Sequence, residues 1–370
     1  MIRQMVCVSA VVATAIACGG GAGHDAPDAG GQSGPDARGQ GSPDAGVQGW
    51  SQIDIGDSDV EALRFTDDQH AFLAVSFGSR QGLHVTTDGA ATWQPRELDV
   101  GPFGVGFPAS LSTILVAGNG SKPVWVSTDR GALFMPVTWN QPGFPASVRF
   151  FDENTVLMGD AVGDRVFRSS DAGQTWTIHL FTREVLPGTH SIEVQGNNAW
   201  VVGGPAYTPD GTGATIAYSS DAALTWTITT LKDNAHLFRG GSLHGIAVVS
   251  PAEIWVAGEN RQIYHTTDGM QTWTQIKGIP SEFIHFGGIA VRGNTIVAAG
   301  SVFLGGTGGY GIYRSTDGGN TFQLFDERYS PYVPDGLGVH GVEQNTKGDL
   351  FVFGYSGLFW KYAGLMLGKG

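Results

Sequence analysis

From Trp50 onward, short apolar runs alternate with polar turns along the whole chain. Residues 245–249, 254–258, 263–265 and 273–276 are four such runs in succession. Runs of this length that are rich in β-branched and aromatic residues, and bounded by Gly, Asp, Ser and Pro, indicate strands. The pattern therefore predicts about four strands in every 40–50 residues.

One motif, Ser/Thr-x-Asp-x-Gly-x-Thr-Trp, recurs between the third and fourth run of each group. Its full form covers residues 169–176, and variants cover 86–93, 127–134, 219–226, 266–273 and 315–322. The spacing between successive motif aspartates is 41 to 50 residues, and they are Asp88, Asp129, Asp171, Asp221, Asp268 and Asp317. The motif suits a hairpin turn, in which Asp accepts hydrogen bonds from turn amides, Gly supplies a positive φ and Trp packs beneath the turn.

A repeat of four strands over 40–50 residues predicts the blades of a β-propeller. Six blades carry the motif, and a seventh has strands at residues 339–342, 350–354 and 358–362 but no outer strand. Residues 50–55 resemble the outer strand at residues 273–276. We therefore predict an all-β, seven-bladed β-propeller over residues 50–370, whose ring is closed by an N-terminal strand.

The N-terminal residues have the pattern of an export signal. Residues 1–17 carry one positive charge followed by an apolar run too short to span a bilayer as a helix. The run ends at Ala17-Cys18, which resembles the lipobox of bacterial lipoproteins, so Cys18 is the predicted lipidation site. The alternative is an ordinary secretory signal, which would leave Cys18 as a free thiol.

Residues 18–49 are predicted to form a flexible tether between the lipid and the propeller. Pro-Asp-Ala recurs every eight residues, and the segment from Gly19 to Gly49 holds no aromatic residue. Such a segment cannot bury enough apolar area to offset its ordering entropy.

Composition and charge exclude several classes of function. The net charge of −13 argues against nucleic-acid binding, which requires concentrated Lys and Arg. Both cysteines, Cys7 and Cys18, precede the predicted propeller, so its fold contains no disulfide and no thiolate metal site.

The repeats resemble Asp-box (BNR) repeats, and the resemblance covers essentially all of residues 50–370. Residues 253–258 and 263–269 (Glu-Ile-Trp-Val-Ala-Gly, then Ile-Tyr-His-Thr-Thr-Asp-Gly) are most similar to photosystem II stability/assembly factor-like propellers. Asp-box sialidases, xyloglucanase-type glycosidases and sortilin-type propellers are more distantly similar. The closest resemblance implies a non-catalytic binding platform, but the Asp-box belongs to the scaffold in all of these families.

The sequence lacks the common catalytic motifs, and its candidate catalytic carboxylates have no further support. The Arg-Ile-Pro signature of sialidases is missing, and Arg64 is the nearest arginine to its expected place. A glycosidase would need two carboxylates that flank the bond, and Glu61, Glu193 and Glu343 are candidates without further support. No nucleophile elbow, zinc-protease, P-loop or dinucleotide motif occurs. We therefore predict no catalytic residue and no cofactor.

Long connections are predicted on the face of the propeller where the inner strands begin. They span residues 205–213, 232–242, 301–309 and 325–338. Because binding residues concentrate on loops held by a rigid scaffold, this face is the candidate binding face. Its candidate residues are Tyr207, His236, Phe238, Arg239, Phe303, Arg328, Tyr329 and Tyr332. Ordinary loop variation is the alternative explanation.

The inner strands also place titratable residues around the central channel. Glu61, His190, His244 and His340 fall at equivalent starting positions and form the candidate channel mouth. These side chains could ring a metal, but hydrogen bonding to neighbouring backbone is the favoured interpretation, so no metal is predicted. At the next level, Arg64, Arg149, Glu193 and Glu343 are expected to compensate one another's charge.

Together these features predict an exported, lipid-anchored monomer of the bacterial cell envelope, at the outer membrane or the cell surface. The predicted function is non-catalytic binding of a protein or glycan partner through the long-loop face. The alternative is a secreted Asp-box-type glycoside hydrolase, resembling a sialidase or a xyloglucanase.

Overall fold

The computed structural model describes residues 49–181, 186, 188–204, 206–208, 211–231, 241–279, 284–304, 307–330 and 338–365. The compact unit to which they belong comprises Gly49–Gly370. The predicted signal, Cys18 and the tether lie outside the described residues. None of the described residues forms a helix that is long and apolar enough to cross a membrane.

Seven antiparallel sheets make up the described part of the chain, which confirms the predicted seven-bladed propeller. Blade 1 is β2 (Asp59–Phe65), β3 (Ala71–Phe77), β4 (Gly82–Thr86) and β5 (Gln94–Arg96). Blade 2 is β6 (Gly101–Gly106), β7 (Ile114–Asn119), β8 (Val124–Ser127) and β9 (Met135–Pro136). Blade 3 is β10 (Pro145–Phe150), β11 (Val156–Asp160), β12 (Arg165–Ser169), β13 (Thr177–Leu180). Blade 4 is β14 (Thr189–Gln195), β15 (Asn198–Gly203), β16 (Ala206–Thr208), β17 (Gly211–Ser219), β18 (Thr227–Leu231).

The remaining blades complete the ring. Blade 5 is β19 (Leu243–Val248), β20 (Ile254–Gly258), β21 (Ile263–Thr266), β22 (Thr274–Gln275). Blade 6 is β23 (Ile284–Arg292), β24 (Thr295–Leu304), β25 (Thr307–Ser315), β26 (Gln323–Ser330). Blade 7 is β27 (Val339–Gln344), β28 (Leu350–Gly354), β29 (Phe359–Tyr362), and its outer strand is β1 (Trp50–Gln52).

The N-terminal strand closes the ring, as the sequence predicts. β1 pairs antiparallel with β29, with Trp50 opposite Tyr362 and Gln52 opposite Trp360. The backbone N–H of Ile53 then donates to Phe359 O at 2.8 Å. The strand itself covers Trp50–Gln52, which is shorter than the predicted 50–55. The ring is therefore closed by pairing between the first and last strands of the propeller.

The apolar core lies between the blades. Buried side chains form seven clusters in the described residues, each drawing on two neighbouring blades. Phe72 and Leu83 of blade 1, for example, pack with Val105, Ile114 and Phe134 of blade 2. Because each sheet has a neighbour on both faces, every residue of β11, β20 and β28 is buried.

Two of the predicted long loops are strand extensions. In blade 6, β24 and β25 remain paired as far as Phe303 opposite Gly308 and Leu304 opposite Thr307. In blade 4, β16 likewise pairs with the first residues of β17. The prediction of long connections at 205–213 and 301–309 was therefore wrong for the described residues of these ranges, because 206–208, 211–213, 301–304 and 307–309 continue the strand pairing of their blades.

Candidate functional site

The Asp-box aspartates are bonded within their own turns. The Ser169 hydroxyl donates to Asp171 Oδ1 at 2.7 Å and accepts the N–H of Gly173 at 2.9 Å. Thr175 donates its N–H to Asp171 Oδ1 at 2.8 Å and its hydroxyl to Oδ2 at 2.5 Å. The same hydroxyl–carboxylate–threonine arrangement recurs at Asp88, Asp221, Asp268 and Asp317.

These hydrogen bonds stabilise the ionised carboxylates. The threonine hydroxyl and N–H lower the pKa of Asp88, Asp268 and Asp317 to about 2 in each case. The sixth copy lacks the threonine, so Asp129 accepts the N–H of Leu133 at 2.9 Å and no hydroxyl from that position. An amide of the turn also donates to the first turn of the same blade, as from Ala172 N to Asn154 O at 2.8 Å. The geometry thus ties these carboxylates to the scaffold of each blade.

The motif tryptophans also join neighbouring blades, which the sequence does not predict. Trp226 of blade 4 packs edge-on against Phe181, with ring centroids 5.4 Å apart. Trp176 of blade 3 packs in the same way against Trp139, at 5.8 Å. Local motif spacing indicates a packing residue but cannot identify its partner on the preceding blade.

The candidate channel mouth consists of two separate groups of side chains. On one side, His340 Nδ1 lies 2.8 Å from Glu61 Oε2, and the buried Ser76 hydroxyl donates to Glu61 Oε1 at 2.5 Å. Burial disfavours the charged imidazole, but the Glu61 carboxylate outweighs that effect and raises the pKa of His340.

The second group at the mouth contains His190 and His244, whose ring centroids are 4.3 Å apart. His244 Nε2 lies 3.4 Å from Glu259 Oε1. The sequence analysis did not single out Glu259, because it follows the second strand of its blade and does not lie on an inner strand. Burial lowers the pKa of His190 to about 3, and it also lowers the pKa of His285. The four predicted mouth residues therefore do not converge. No group of three or more His, Cys, Asp or Glu in the described ranges is placed to hold a metal ion.

Deeper in the channel, charged side chains from four inner strands meet. Arg64 donates to Glu193 at 3.1 Å and to Glu343 at 3.3 Å. Arg149 donates to the same Glu193 oxygen at 2.7 Å. This pairing agrees with the expected compensation of charge. Burial and the nearby Glu193 together raise the pKa of Glu343 to about 7, although Arg64 opposes the shift.

The channel is narrow at these ion pairs. The cavity lined by Arg64, Arg149, Glu193 and Glu343 has a volume of about 110 Å³. The four side chains keep only 18–27% of their surface exposed. Pockets for drug-sized ligands have roughly 300–1,000 Å³. This part of the molecule therefore has room for water or a very small solute.

The candidate binding-face residues of blades 4 and 6 lie on strands. Tyr207 is opposite Thr212 in the β16–β17 pair, and Phe303 is opposite Gly308 in the β24–β25 pair. Arg328 and Tyr329, predicted in a loop, lie on β26. The blade 6 extension thus brings Phe303, Arg328 and Tyr329 onto one sheet. His236, Phe238, Arg239 and Tyr332 lie outside the described residues.

No family model matches the chain. In sequence, it is 24% identical over 280 residues to the photosystem II assembly lipoprotein Ycf48 of Picosynechococcus sp., covering 63% of this chain and 80% of that protein. It is also 31% identical over 169 residues to a probable oligoxyloglucan-reducing end-specific xyloglucanase of Neosartorya fischeri. That match covers 44% of this chain and only 19% of the xyloglucanase.

Solved structures give the same two similarities. YCF48 bound to a D1 peptide superposes with a TM-score of 0.64 at 18% identity, covering 86% of this chain and 96% of that one. The GH74 xyloglucanase from Xanthomonas campestris has a TM-score of 0.61 at 14% identity, covering 87% of this chain and 54% of the enzyme. The chain is thus a seven-bladed propeller homologous to the assembly factor and more distantly to the xyloglucanases, which confirms the resemblance predicted from its repeats.

Proposed function

We propose that this chain is a non-catalytic scaffold, anchored in the bacterial cell envelope by a lipid on Cys18, that binds a protein partner. The observation that carries the proposal is the pairing of Glu193 and Glu343 with Arg64. Glu193 and Glu343 lie close together in the channel, and the Arg64 guanidinium bonds both.

This arrangement leaves little scope for glycoside hydrolysis in the channel. A glycosidase needs an acid and a second carboxylate about 5–10 Å apart, with the sugar between them. Here an arginine lies between the two carboxylates, and the cavity of about 110 Å³ is small beside a ligand pocket. The Asp-box carboxylates are engaged by their own turns. Binding without catalysis accounts for both observations.

A protein partner is favoured over a glycan by the comparisons. The photosystem II assembly lipoprotein, whose match covers 63% of this chain, is named for assembly of a protein complex, and a similar structure is YCF48 bound to a D1 peptide. Aromatic and arginine side chains, such as those at Phe303, Arg328 and Tyr329, are frequent anchors at protein interfaces. We therefore place the partner on the long-loop face, to which these three residues belong.

A photo-cross-linking experiment tests this proposal. A photoreactive amino acid replaces Tyr329 on the long-loop face or, as the matched control, Gln271 on the Asp-box face. Full-length protein is irradiated in the membranes of its own cells. We expect a discrete cross-linked protein from position 329 and none from position 271. Cross-links from position 271 alone would place the partner on the other face and overturn the proposal.

Glycoside hydrolysis is the second candidate, because one observation favours it. A carboxyl group with a pKa of about 7, as at Glu343, is suited to act as a general acid at neutral pH. Release of reducing ends from xyloglucan that is lost in Glu343→Gln would support this function. Unchanged substrate after prolonged incubation, together with the cross-link from position 329, supports the scaffold.

A further inference from the structure

The strand that closes the ring has one unpaired edge. In an antiparallel pair, residues that exchange hydrogen bonds with the partner strand alternate with residues whose N–H and C=O point away from it. Ile53 donates its N–H to Phe359 O at 2.8 Å, and Gln52 lies opposite Trp360. The N–H and C=O of Gln52 therefore point away from β29, at the outer edge of blade 7. Neither group bonds another residue of the described part of the chain.

A groove lies beside this edge, between blade 7 and the Asp-box of blade 1. One side is formed by residues 51–54 and the other by residues 88–93, and we call the space between them the closing-strand groove. Its volume is about 730 Å³. Ligand pockets have roughly 300–1,000 Å³, so the groove has room for several side chains of a ligand.

The floor of the closing-strand groove is apolar. Ile53 and Trp93 line the groove together with the buried Ala90. Ile53 and Trp93 pack against the core cluster between blades 7 and 1 but are only partly buried, so each keeps some surface open. This floor favours a ligand that places apolar side chains on it.

The charged side chains at the groove are already engaged within the protein. Arg80 donates to Asp54 O at 2.8 Å, and its guanidinium also lies 3.2 Å from Asp54 Oδ2. Lys361 donates to Gly89 O at 3.1 Å, and Asp88 accepts hydrogen bonds from its own turn. These two basic and two acidic residues balance in charge. The groove therefore suits an uncharged ligand.

We propose that the closing-strand groove binds an extended, uncharged segment of a partner protein, which pairs with the free edge of β1. One residue of the segment exchanges two main-chain hydrogen bonds with Gln52. Successive side chains of a strand point to opposite faces, so the residues on either side of it place their side chains on the face of Ile53, over Trp93. The main-chain bonds provide affinity, and the floor selects apolar side chains at alternate positions.

A partner segment is favoured over a second copy of this chain. The net charge of −13 makes two copies repel each other, whereas an uncharged segment meets no such barrier. The groove adjoins the Asp-box of blade 1, and the partner proposed above binds the long-loop face. This is therefore a further binding site, and it does not depend on that proposal.

Binding of defined peptides to the full-length protein tests the inference. The probe is acetyl-Ser-Val-Thr-Phe-Ser-amide, in which Val and Phe flank the Thr that should pair with Gln52, and calorimetry measures its dissociation constant. N-methylation of the Thr removes the N–H that bonds Gln52 O and should weaken binding about tenfold or more. N-methylation of the Phe, whose N–H points away from β1, is the matched control and should leave affinity unchanged.

Two outcomes with these peptides contradict the proposal. Equal weakening by both methylations would show that the peptide does not pair with the strand. Absence of saturation at about 10 mM peptide would overturn the proposal as well, because a site with a millimolar dissociation constant is nearly filled at that concentration.

Variants of the edge complete the peptide test. Gln52→Pro removes the outward N–H, and proline is tolerated on an edge strand where the N–H does not bond the neighbouring strand. We expect the probe to bind Gln52→Pro about tenfold more weakly or worse. Gln52→Thr keeps the N–H and is the matched control, which should bind the probe as the wild type does.

A variant of the groove decides the matter if Gln52→Pro does not fold. Ala91 is exposed and lines the groove, so Ala91→Trp should fill it and abolish binding. Ala132, the equivalent exposed residue in the Asp-box of blade 2, provides the control Ala132→Trp, which should bind normally. Wild-type affinity in Ala91→Trp, or equal losses in both variants, would overturn the proposal. A wild-type dimer that Ala91→Trp makes monomeric in sedimentation would assign the groove to a second copy and overturn it too.

Discussion

Trp50, the first residue of the closing strand, packs edge-on against Tyr362 in the last strand of the propeller. Their ring centroids are 5.2 Å apart and their planes meet at 78°. Phe325 of blade 6 lies 6.4 Å from Trp50 and 5.4 Å from Tyr362. Three aromatic side chains from β1, β26 and β29 thus meet where the ring closes, and Trp50 is only 8% exposed there.

Because of this contact, a substitution of Trp50 tests whether the N-terminal strand closes the ring. We expect Trp50→Ala to lower the free energy of unfolding by about 3–5 kcal/mol, because a large buried aromatic is removed from a packed site. Urea denaturation followed by tryptophan fluorescence measures the change. Deletion of residues 19–48, predicted to be a tether, is the control and should leave the urea midpoint unchanged. Equal decreases in the urea midpoint for Trp50→Ala and for the deletion would show that Trp50 does not stabilise the closed ring.

The Asp-box provides a second stability prediction. Asp171→Ala removes the acceptor of the Thr175 hydroxyl and N–H and of the Ser169 hydroxyl. We expect a loss of about 1–2 kcal/mol, typical of a hydrogen-bonded partner that is partly solvated. Asp129→Ala should cost less, because Leu133 replaces the threonine in that copy. The melting temperatures of the two variants are compared by thermal unfolding. A larger decrease in Asp129→Ala than in Asp171→Ala would contradict this explanation.

Glu343 is expected to make stability depend on pH near neutrality. Its pKa is raised from 4.5 to about 7, so the folded protein binds more protons than the unfolded chain between these values. The free energy of unfolding therefore falls as pH rises through this window, by up to about 3 kcal/mol in total. Glu343→Gln should reduce this fall when urea denaturation is repeated from pH 5 to pH 8. Part of the fall should remain, because burial also raises the pKa of Glu193.

The matched control is Glu153→Gln, at a surface carboxylate bonded by the Ser110 and Ser112 hydroxyls. Those hydroxyls lower the pKa of Glu153 in the folded protein, so Glu153 is ionised in both states above about pH 6. The slope with pH should be the same in Glu153→Gln and in the wild type. A slope as steep in Glu343→Gln as in the wild type would assign the dependence to another group.

The predictable parts of this fold are those encoded over short distances. The Asp-box predicts a hairpin turn from a motif of eight residues, and the spacing between its copies predicts the number of residues in each blade. The similarity of the strand at Trp50 to other outer strands was enough to predict ring closure. The strand extensions of blade 6 were missed, since Gly305-Gly306 resembles loop sequence unless the flanking strands are known to remain paired.

The channel could be predicted only in part. Equivalent positions on the inner strands identified the charged residues, because the repeat aligns them. Arg64 and Glu343 are 279 residues apart, and Arg64 and Glu193 are 129 apart. Which of these side chains meet depends on the ring diameter and on side-chain reach, which no local pattern encodes. The separation of His340 with Glu61 from His190 with His244 was unpredictable for the same reason.

The proposed anchoring through Cys18 is tested apart from the fold. We expect the wild type to incorporate a labelled fatty acid and to partition into the detergent phase. Cys18→Ser removes the thiol that receives the lipid, so both properties should be lost. Fatty-acid labelling that persists in Cys18→Ser would contradict the lipobox assignment.

The last prediction concerns the binding face. Arg239 and Tyr329 belong to the predicted long-loop face, and Gln271 is exposed on the Asp-box face. Large aromatic and arginine side chains carry much of the energy of protein interfaces, whereas small polar groups outside the contact contribute little. We expect Arg239→Ala and Tyr329→Ala to weaken binding of the cross-linked partner at least tenfold, with melting temperatures within a few degrees of the wild type. Gln271→Ala should leave affinity unchanged.

Calorimetry with the purified partner measures all three affinities, and circular dichroism gives the melting temperatures. The comparison depends on retained folding, because a destabilised blade would weaken binding for an unrelated reason. Tyr329 lies on β26 opposite Gly309, where a change to Ala keeps the strand pairing of the backbone. Loss of affinity in Gln271→Ala, with full affinity in Arg239→Ala and Tyr329→Ala, would mean that the partner binds the Asp-box face.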